Sequence, residues 1–172
     1  MPETMTEQLP SPAQSIIAAH TPAEIPVLAE LKPLEQRVLL LASYGGTAKE
    51  VAQYARARRH AVERTRDNLI EAFGVPNMAA VVNAALWHRQ LPFEVDDSSP
   101  IPARLGERER LALGYIAIGF TKGQIAAQFG KNPDTFHANV LRPSFKILGS
   151  SGRTHSVRRS YEIGIFKARQ EA

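Results

Sequence analysis

The sequence predicts an all-α fold made of two tandem domains of about four helices each, joined by a proline-rich linker. Three observations lead to this prediction. Apolar residues recur at the spacing of helices, no alternating strand pattern of useful length occurs, and the helical pattern appears twice. Because repeated sequence marks units that fold in the same way, the repeat sets the number of domains at two.

The repeat relates two stretches that lie 74 residues apart. LKPLEQRVLLLASYGGTAKEVA (31–52) aligns with LGERERLALGYIAIGFTKGQIA (105–126) without a gap. Further along, Gly74 and Gly149 each end a helix-sized unit, and the second unit is one residue longer by that point. The two units are therefore copies of one another, with a single insertion in the second.

The chain divides at its proline-rich stretches. We call residues 31–92 copy one and residues 104–168 copy two, and residues 93–103 form the linker between them. Residues 1–30 hold five prolines and four acidic residues, and we expect a flexible acidic arm there. A serine cap and a proline in the first turn favour one short helix within this arm, at 12–20.

Each copy is expected to begin with a helix that has one apolar face. In copy one this face is formed by Leu31, Leu34, Val38 and Leu41. A glycine pair ends that helix, and a capping box of Thr47 and Glu50 starts the next one. Copy two repeats the capping box with Thr121 and Gln124. The second helices are expected to run to about residues 55 and 129.

A third helix follows a short turn in each copy. In copy one it is predicted from about residue 59 to 72, buried through Val62, Thr65, Leu69 and Phe73. In copy two, Asn132 at the N-cap and Pro133 at the first helical position mark its start. Pro143 falls inside this helix, where a proline costs about 3 kcal/mol unless the helix ends or kinks. Fourth helices are expected from about Asn77 and Thr154.

The net charge of +4 is unevenly distributed along the chain. Residues 31–92 hold nine basic and five acidic residues, and residues 105–172 hold eleven basic and five acidic residues. In copy one, five of the twelve residues of ARARRHAVERTR (55–66) are arginine. Two basic blocks favour a polyanion as partner, and ordinary charge scatter is the alternative interpretation.

A capped helix, a short turn and a second helix with a basic exposed face form the helix-turn-helix arrangement, whose second helix lies in the major groove of DNA. Copy one contains L-x-P-x-E-x-x-V-L (31–39), G-x-T-x-K-E-V-A (45–52) and N-L-I-E-A-F-G-V (68–75). Copy two contains L-G-E-R-E (105–109), G-F-T-K-G-Q-I-A-A-Q-F-G (119–130), T-F-H (135–137) and G-R-T-H-S-V (152–157). Both copies resemble the LuxR-type (GerE-like) helix-turn-helix domain, the C-terminal output domain of many bacterial response regulators and quorum sensors.

The resemblance implies roles for individual residues. Thr47 and Thr121 fall where the family contacts a backbone phosphate, and Lys49 falls on the phosphate side. Glu63 and Arg64 fall where the family reads base edges. The family dimerises through its fourth helix. In copy one this helix contains Val81, Val82, Ala85 and Leu86, which are therefore expected at a dimer or interdomain contact.

The candidate site residues follow from this resemblance and from the basic blocks. The expected DNA contacts are Thr47, Lys49, Arg58, Arg59, Glu63, Arg64 and Arg66 in copy one, and Thr121, Lys122, Asn132, His137, Asn139, Arg142 and Arg153 in copy two. For the arginines, the alternative is a solvated charged face. Glu63 either accepts a hydrogen bond from a cytosine amino group or pairs with Arg59, and His137 is either a base contact or a surface histidine.

Several classes of function are not expected. The chain has no cysteine, which excludes disulfides, thiolate metal sites and cysteine nucleophiles. Widely spaced histidines and the lack of a phosphate-binding glycine loop or catalytic motif predict no metal, no cofactor and no enzymatic activity. The N-terminal sequence lacks the features of a secretory signal, and no apolar run has the length of a membrane span, so a cytoplasmic, nucleoid-associated location is expected.

The sequence is compatible with two functions. The first is a sequence-specific DNA-binding regulator of transcription of bacterial type, acting on double-stranded DNA as a monomeric pseudo-dimer or as a homodimer. Copy one is then expected to be the main reader, because an inserted residue and Pro143 disturb the third helix of copy two. The alternative is an adaptor in which copy one binds DNA and copy two binds a protein partner, such as RNA polymerase or another regulator.

Overall fold

A computed structural model describes residues 9–171, and all their regular elements are helical. The prediction of an all-α fold is confirmed. The helices are α1 (Pro12–His20), α2 (Pro33–Ser43), α3 (Ala48–Ala55), α4 (Arg59–Phe73), α5 (Met78–Trp87), α6 (Ile101–Arg104), α7 (Glu107–Ala117), α8 (Lys122–Gln128), α9 (Pro133–Phe136), α10 (Arg142–Leu148) and α11 (Arg153–Glu162). Within residues 9–171 no single helix is long and apolar enough to cross a membrane; α4 and α5, bent by 54°, reach that length and composition only together.

Both predicted capping boxes are present. Thr47 Oγ1 accepts a hydrogen bond from the Glu50 amide at 3.2 Å, and the Glu50 carboxylate accepts one from the Thr47 amide at 3.0 Å. Thr121 and Gln124 make the same exchange at 3.2 and 2.8 Å. Each exchange satisfies amides that have no partner inside the helix, and so α3 and α8 begin where the sequence predicts.

The third helix of copy two continues through Pro143. The Arg142 amide donates to the carbonyl oxygen of His137, five residues back, which makes a π turn at His137–Leu141 between α9 and α10. An α-helix would require the amide that proline lacks and would press the ring against an earlier carbonyl. The wider π turn accommodates one additional residue, as π bulges do. The expectation that Pro143 interrupts this helix is therefore corrected: the helix widens for one turn and continues.

Burial in the third helix of each copy shows where the extra residue of copy two is accommodated. Val62, Thr65, Leu69 and Phe73 are buried in copy one, and Phe136, Val140, Ser144 and Leu148 are buried in copy two. The first two buried positions are three residues apart in copy one and four apart in copy two. Val140, and not Asn139, therefore occupies the position of Thr65. Asn139 is left on the exposed side of the widened turn.

The fourth helix of copy one lies at the centre of the chain. Every residue of α5 from Met78 to Leu86 is buried, and the helix packs against α11 of copy two. The candidate dimer residues, Val81, Val82, Ala85 and Leu86, are each 0% exposed. They cannot contact a second copy of the protein without unfolding this one. Of the two predicted roles, a dimer contact or an interdomain contact, these residues take the second: the helix packs copy one against copy two within one chain.

The contacts between the copies are reciprocal. α5 packs against α7 of copy two, and α11 packs against α2 of copy one. A Cβ at Gly45 would lie 2.0 Å from Ser151 Oγ, just before α11. A Cβ at the matching Gly119 would lie 3.0 Å from Pro76, just before α5. Each copy therefore places its first turn against the start of the other copy's last helix.

Polar groups hold this interface in register. Tyr161 Oη donates to Asn83 Oδ1 at 2.7 Å, and Asn83 Nδ2 donates to Thr21 Oγ1 at 2.9 Å. Arg158 is buried, and its guanidinium donates to Ser43 Oγ at 3.1 Å and to the Pro92 carbonyl at 2.9 Å. Because a buried polar group without a partner costs about 1–3 kcal/mol, these bonds specify one arrangement of the copies.

Part of the predicted flexible arm belongs to the folded core. α1 forms at 12–20 with Ser11 as its cap, as expected, but it packs on α7 and buries Ala13 and Ile17. Gly114 permits this approach, because a Cβ there would lie 3.2 Å from the backbone of Ala13. Residues 12–20 of the predicted flexible arm therefore form a docked helix, which corrects the prediction there. Residues 1–8 lie outside the described residues.

The linker is also tied to the core. The Asp96 amide donates to the Glu162 carbonyl at 2.7 Å, and the Phe93 ring meets the Tyr161 ring edge to face at 5.5 Å. Together with the bond from Arg158 to Pro92, these contacts hold the beginning of the linker along α11. The two copies are thus joined by packing as well as by the chain.

Candidate nucleic-acid interface

α4 separates an apolar face from a charged one. Its buried residues point into the core, and Arg59, Glu63 and Arg64 are exposed on the other side. Arg58, at the N-cap position before α4, is exposed as well, and Arg66 is half-buried. The apolar stripe at helical spacing is what presents these cations to solvent, since it fixes which side of the helix faces the core.

Two of the exposed residues on α4 have a partner one turn away. Arg59 Nε donates to Glu63 Oε1 at 3.0 Å, with 68% and 50% of the two side chains exposed. Arg64 donates to His60 Nε2 at 2.9 Å, which requires a histidine that is neutral at that nitrogen. Exposed i,i+4 ion pairs are worth about 0.3–0.5 kcal/mol, so a stronger partner can displace them. The pairing of Glu63 with Arg59 is the geometry of the unbound chain, and the cytosine contact stays a prediction.

Two of the candidate residues in copy two already have partners within the chain. Lys122 Nζ lies 2.6 Å from Asp134 Oδ1, and this bond and charge lower the pKa of the Asp134 carboxyl. Asn132 Oδ1 accepts from the amides of Asp134 and Thr135 at 3.0 and 3.3 Å. Asn132 therefore caps α9, as predicted, and the oxygen of its side chain is occupied.

Other cations of copy two surround an open groove of about 510 Å³. The residues that line it include His137, Arg142, Lys146 and Arg153. Burial first, then the charges of Arg142, Lys122 and Arg153, lowers the pKa of His137. The imidazole is therefore neutral near pH 7 and can both donate and accept a hydrogen bond.

Arg153 links this groove to the other copy. Its guanidinium donates to the carbonyl oxygen of Phe120, which fixes the side chain beside Thr121. Arg153 also lines a second groove of about 300 Å³, to which copy one contributes Thr47 and Arg66. The structure thus brings Thr47 and Arg66 of copy one to the same groove as Arg153, whereas Arg58, Arg59 and Arg64 line neither groove.

Two residues of these grooves were not predicted from the sequence. Lys146 lies one turn after Arg142 on α10, and this four-residue spacing was a signal for one charged face. His155 lines the groove between the copies. No local pattern marked His155, because the groove exists only when the two copies pack together.

Comparison with protein-family models, with curated proteins and with solved structures finds no match to this chain. The LuxR-type resemblance therefore rests on the motifs quoted above.

Proposed function

We propose that the protein is a sequence-specific DNA-binding regulator of transcription, built from two LuxR-type helix-turn-helix units in one chain. The proposal is supported by an arrangement of helices that occurs in both copies. Each copy has a capped helix, a turn, and a second helix that buries one face and leaves cations on the other. That combination presents positive charge on a rigid helix of a size that fits the major groove.

The copies take different roles in this proposal. Copy one reads bases, because its third helix is regular and leaves Arg59, Glu63 and Arg64 exposed. Copy two holds the backbone, because it keeps Thr121 and Lys122 at the start of α8 for phosphate, whereas the oxygen of Asn132 is occupied as a cap and the π turn alters the direction of the side chains beyond it. The expected binding site is therefore asymmetric and not palindromic.

A second function is favoured by the π turn itself. If the widened helix does not fit the major groove of DNA, copy two is an adaptor surface for a protein such as RNA polymerase or another regulator. The adaptor function predicts that substitutions on α10 leave the affinity for DNA unchanged while they abolish activation or repression. The DNA-reading function predicts that the same substitutions weaken binding.

Binding to duplex DNA at increasing salt tests the proposal most directly. If about six phosphates are neutralised, log K falls with log salt at a slope near −5. A slope near zero would contradict any DNA-binding function. Genome-wide mapping of the sites bound by the whole chain then distinguishes one motif from a bipartite motif. The whole chain is needed because the copies share one core, and fragments would expose α5 and α11.

A further inference from the structure

The groove between the copies is lined by positive charge from both of them. Arg66 comes from α4 of copy one, and Arg153 and His155 come from the start of α11 in copy two. Among the described residues that line this groove, none is acidic. The groove is about 300 Å³ in volume, and Gly45 and Ser151 are among the residues that line it.

Arg66 makes no ion pair or hydrogen bond among the described residues, although it is half-buried. Arg66 and Arg153 line the same groove, and no carboxylate among the described residues that line it offsets their charges. An anion between the two arginines would offset them. A planar guanidinium, with its donors in a fork, matches the oxygens of a phosphate group particularly well.

Arg153 and His155 are held in place before any ligand arrives. One nitrogen of Arg153 donates to the Phe120 carbonyl, and the remaining donors of the guanidinium have no partner among the described residues. His155 Nδ1 accepts from the Ser151 amide at 3.1 Å, so the proton of the neutral ring lies on Nε2. Burial, followed by the charge of Arg159, lowers the pKa of His155, so the neutral ring is the form present near pH 7.

We propose that this groove between the copies binds one phosphate group, with Arg66 of copy one and Arg153 of copy two as its ligands. The proposal rests on the proposed DNA-binding function, and the phosphate is one of the DNA backbone between the segments that the two copies contact. Arg153 also lines the groove that contains Arg142 and Lys146, so a positive strip continues from this site along copy two. A phosphate held by both copies makes DNA affinity depend on how they are packed.

The test is a salt titration of DNA binding by the whole chain and by R66Q, R153Q and the double variant. K167Q is the matched control, since it removes one charge from an exposed side chain outside both grooves. We expect the double variant to reduce the slope by about 1, equally on operator and random DNA, and R66Q or R153Q alone to reduce it by less. The loss in the double variant should be about 1 and not about 2, because both arginines bind the same phosphate.

Several results would overturn the proposal. A slope for the double variant equal to that of the unaltered chain would do so, as would an equal loss in K167Q or a loss of about 2 in the double variant. An unaltered chain with no salt dependence would instead refute the DNA-binding function itself. R66K, which keeps the charge without the fork, should restore the slope, and matching thermal midpoints would show that the variants fold.

A titration with inorganic phosphate, followed by NMR of the arginine side chains, distinguishes backbone phosphate from free phosphate. We expect no saturation of Arg66 and Arg153 at millimolar phosphate, because a single site without the rest of the DNA is weak. Saturation at micromolar phosphate, with competition against DNA, would mean that the groove serves a free phosphorylated ligand and would overturn the assignment to DNA.

Discussion

The third helices of the two copies bury the same four positions but expose different chemistry. α4 is regular over Arg59–Phe73 and presents arginines, whereas α9 and α10 are joined by a π turn and present His137, Asn139 and Arg142. The core therefore tolerated an inserted residue and a proline as long as the buried register was restored one turn later. Packing constrains one face of such a helix, and the exposed face is free to diverge.

The copies also differ in what covers their first helices. α1 lies on α7 over Gly114, but the matching position on α2 is Leu40, which is 40% exposed. One turn further along, Tyr44 is 51% exposed, while its counterpart Ile118 is buried. Copy two therefore depends on α1 for part of its core, and within residues 9–171 copy one has no such cover. Substitutions at matched positions of the two copies test these differences.

The largest effect is expected from Ile17→Ala in α1. Ile17 is 0% exposed, and removing a buried isoleucine side chain typically costs about 2–5 kcal/mol, so we expect a loss near 3 kcal/mol. Leu40→Ala on the uncovered α2 should cost under about 1 kcal/mol. Urea unfolding of the two variants measures both values. An unchanged midpoint for Ile17→Ala would mean that α1 does not dock in solution.

Arg64→Ala and His137→Ala compare the third helices as readers of DNA. If Arg64 makes a bidentate contact to guanine, its loss costs about 1–3 kcal/mol of discrimination between operator and random DNA. His137→Ala should change that discrimination by less than about 0.5 kcal/mol, since copy two is proposed to hold the backbone. Competition binding measures both. Equal weakening on both DNAs would make Arg64 a phosphate contact, and a larger loss for His137→Ala would reverse the proposed roles.

The smallest effect concerns the residue that follows each second helix. Both positions have a left-handed backbone: Gly130 with φ 62° in copy two, and Arg56 with φ 51° in copy one. Gly130→Ala should cost about 1 kcal/mol, and Arg56→Gly should gain up to about 1 kcal/mol, because only glycine adopts this region without a penalty. A Cβ at Gly130 would meet nothing within 4 Å, so the cost reports conformation alone. Thermal unfolding at fixed pH gives both values; a stabilised Gly130→Ala would contradict the assignment.

Local chemistry made much of the fold predictable. The capping boxes at Thr47 and Thr121, the N-caps at Asn77 and Asn132, and the buried stripe of α4 all follow from residues close together in sequence. These features depend on hydrogen bonds and side-chain directions within a few turns. Sequence spacing therefore specifies them without reference to the rest of the chain.

Features that depend on distant residues were not predictable in the same way. Nothing in residues 12–20 identifies α7 as their partner, because the fit comes from Gly114, about a hundred residues away. α5 did carry a signal: it is apolar on nearly every side, which is typical of a helix inside a core and not of one on a dimer surface. The proximity of Arg66 to Arg153 arises only when the copies pack.

The position of α5 against α11 has a consequence for how the protein can change over generations. In a homodimer, every substitution is inherited by both halves of the interface at once. Here the two halves are encoded separately, so a change such as the extra residue at the π turn enters one half alone. The halves cannot exchange with those of a related chain, and dilution does not separate halves that share a chain. Each half is thus free to specialise without a second gene.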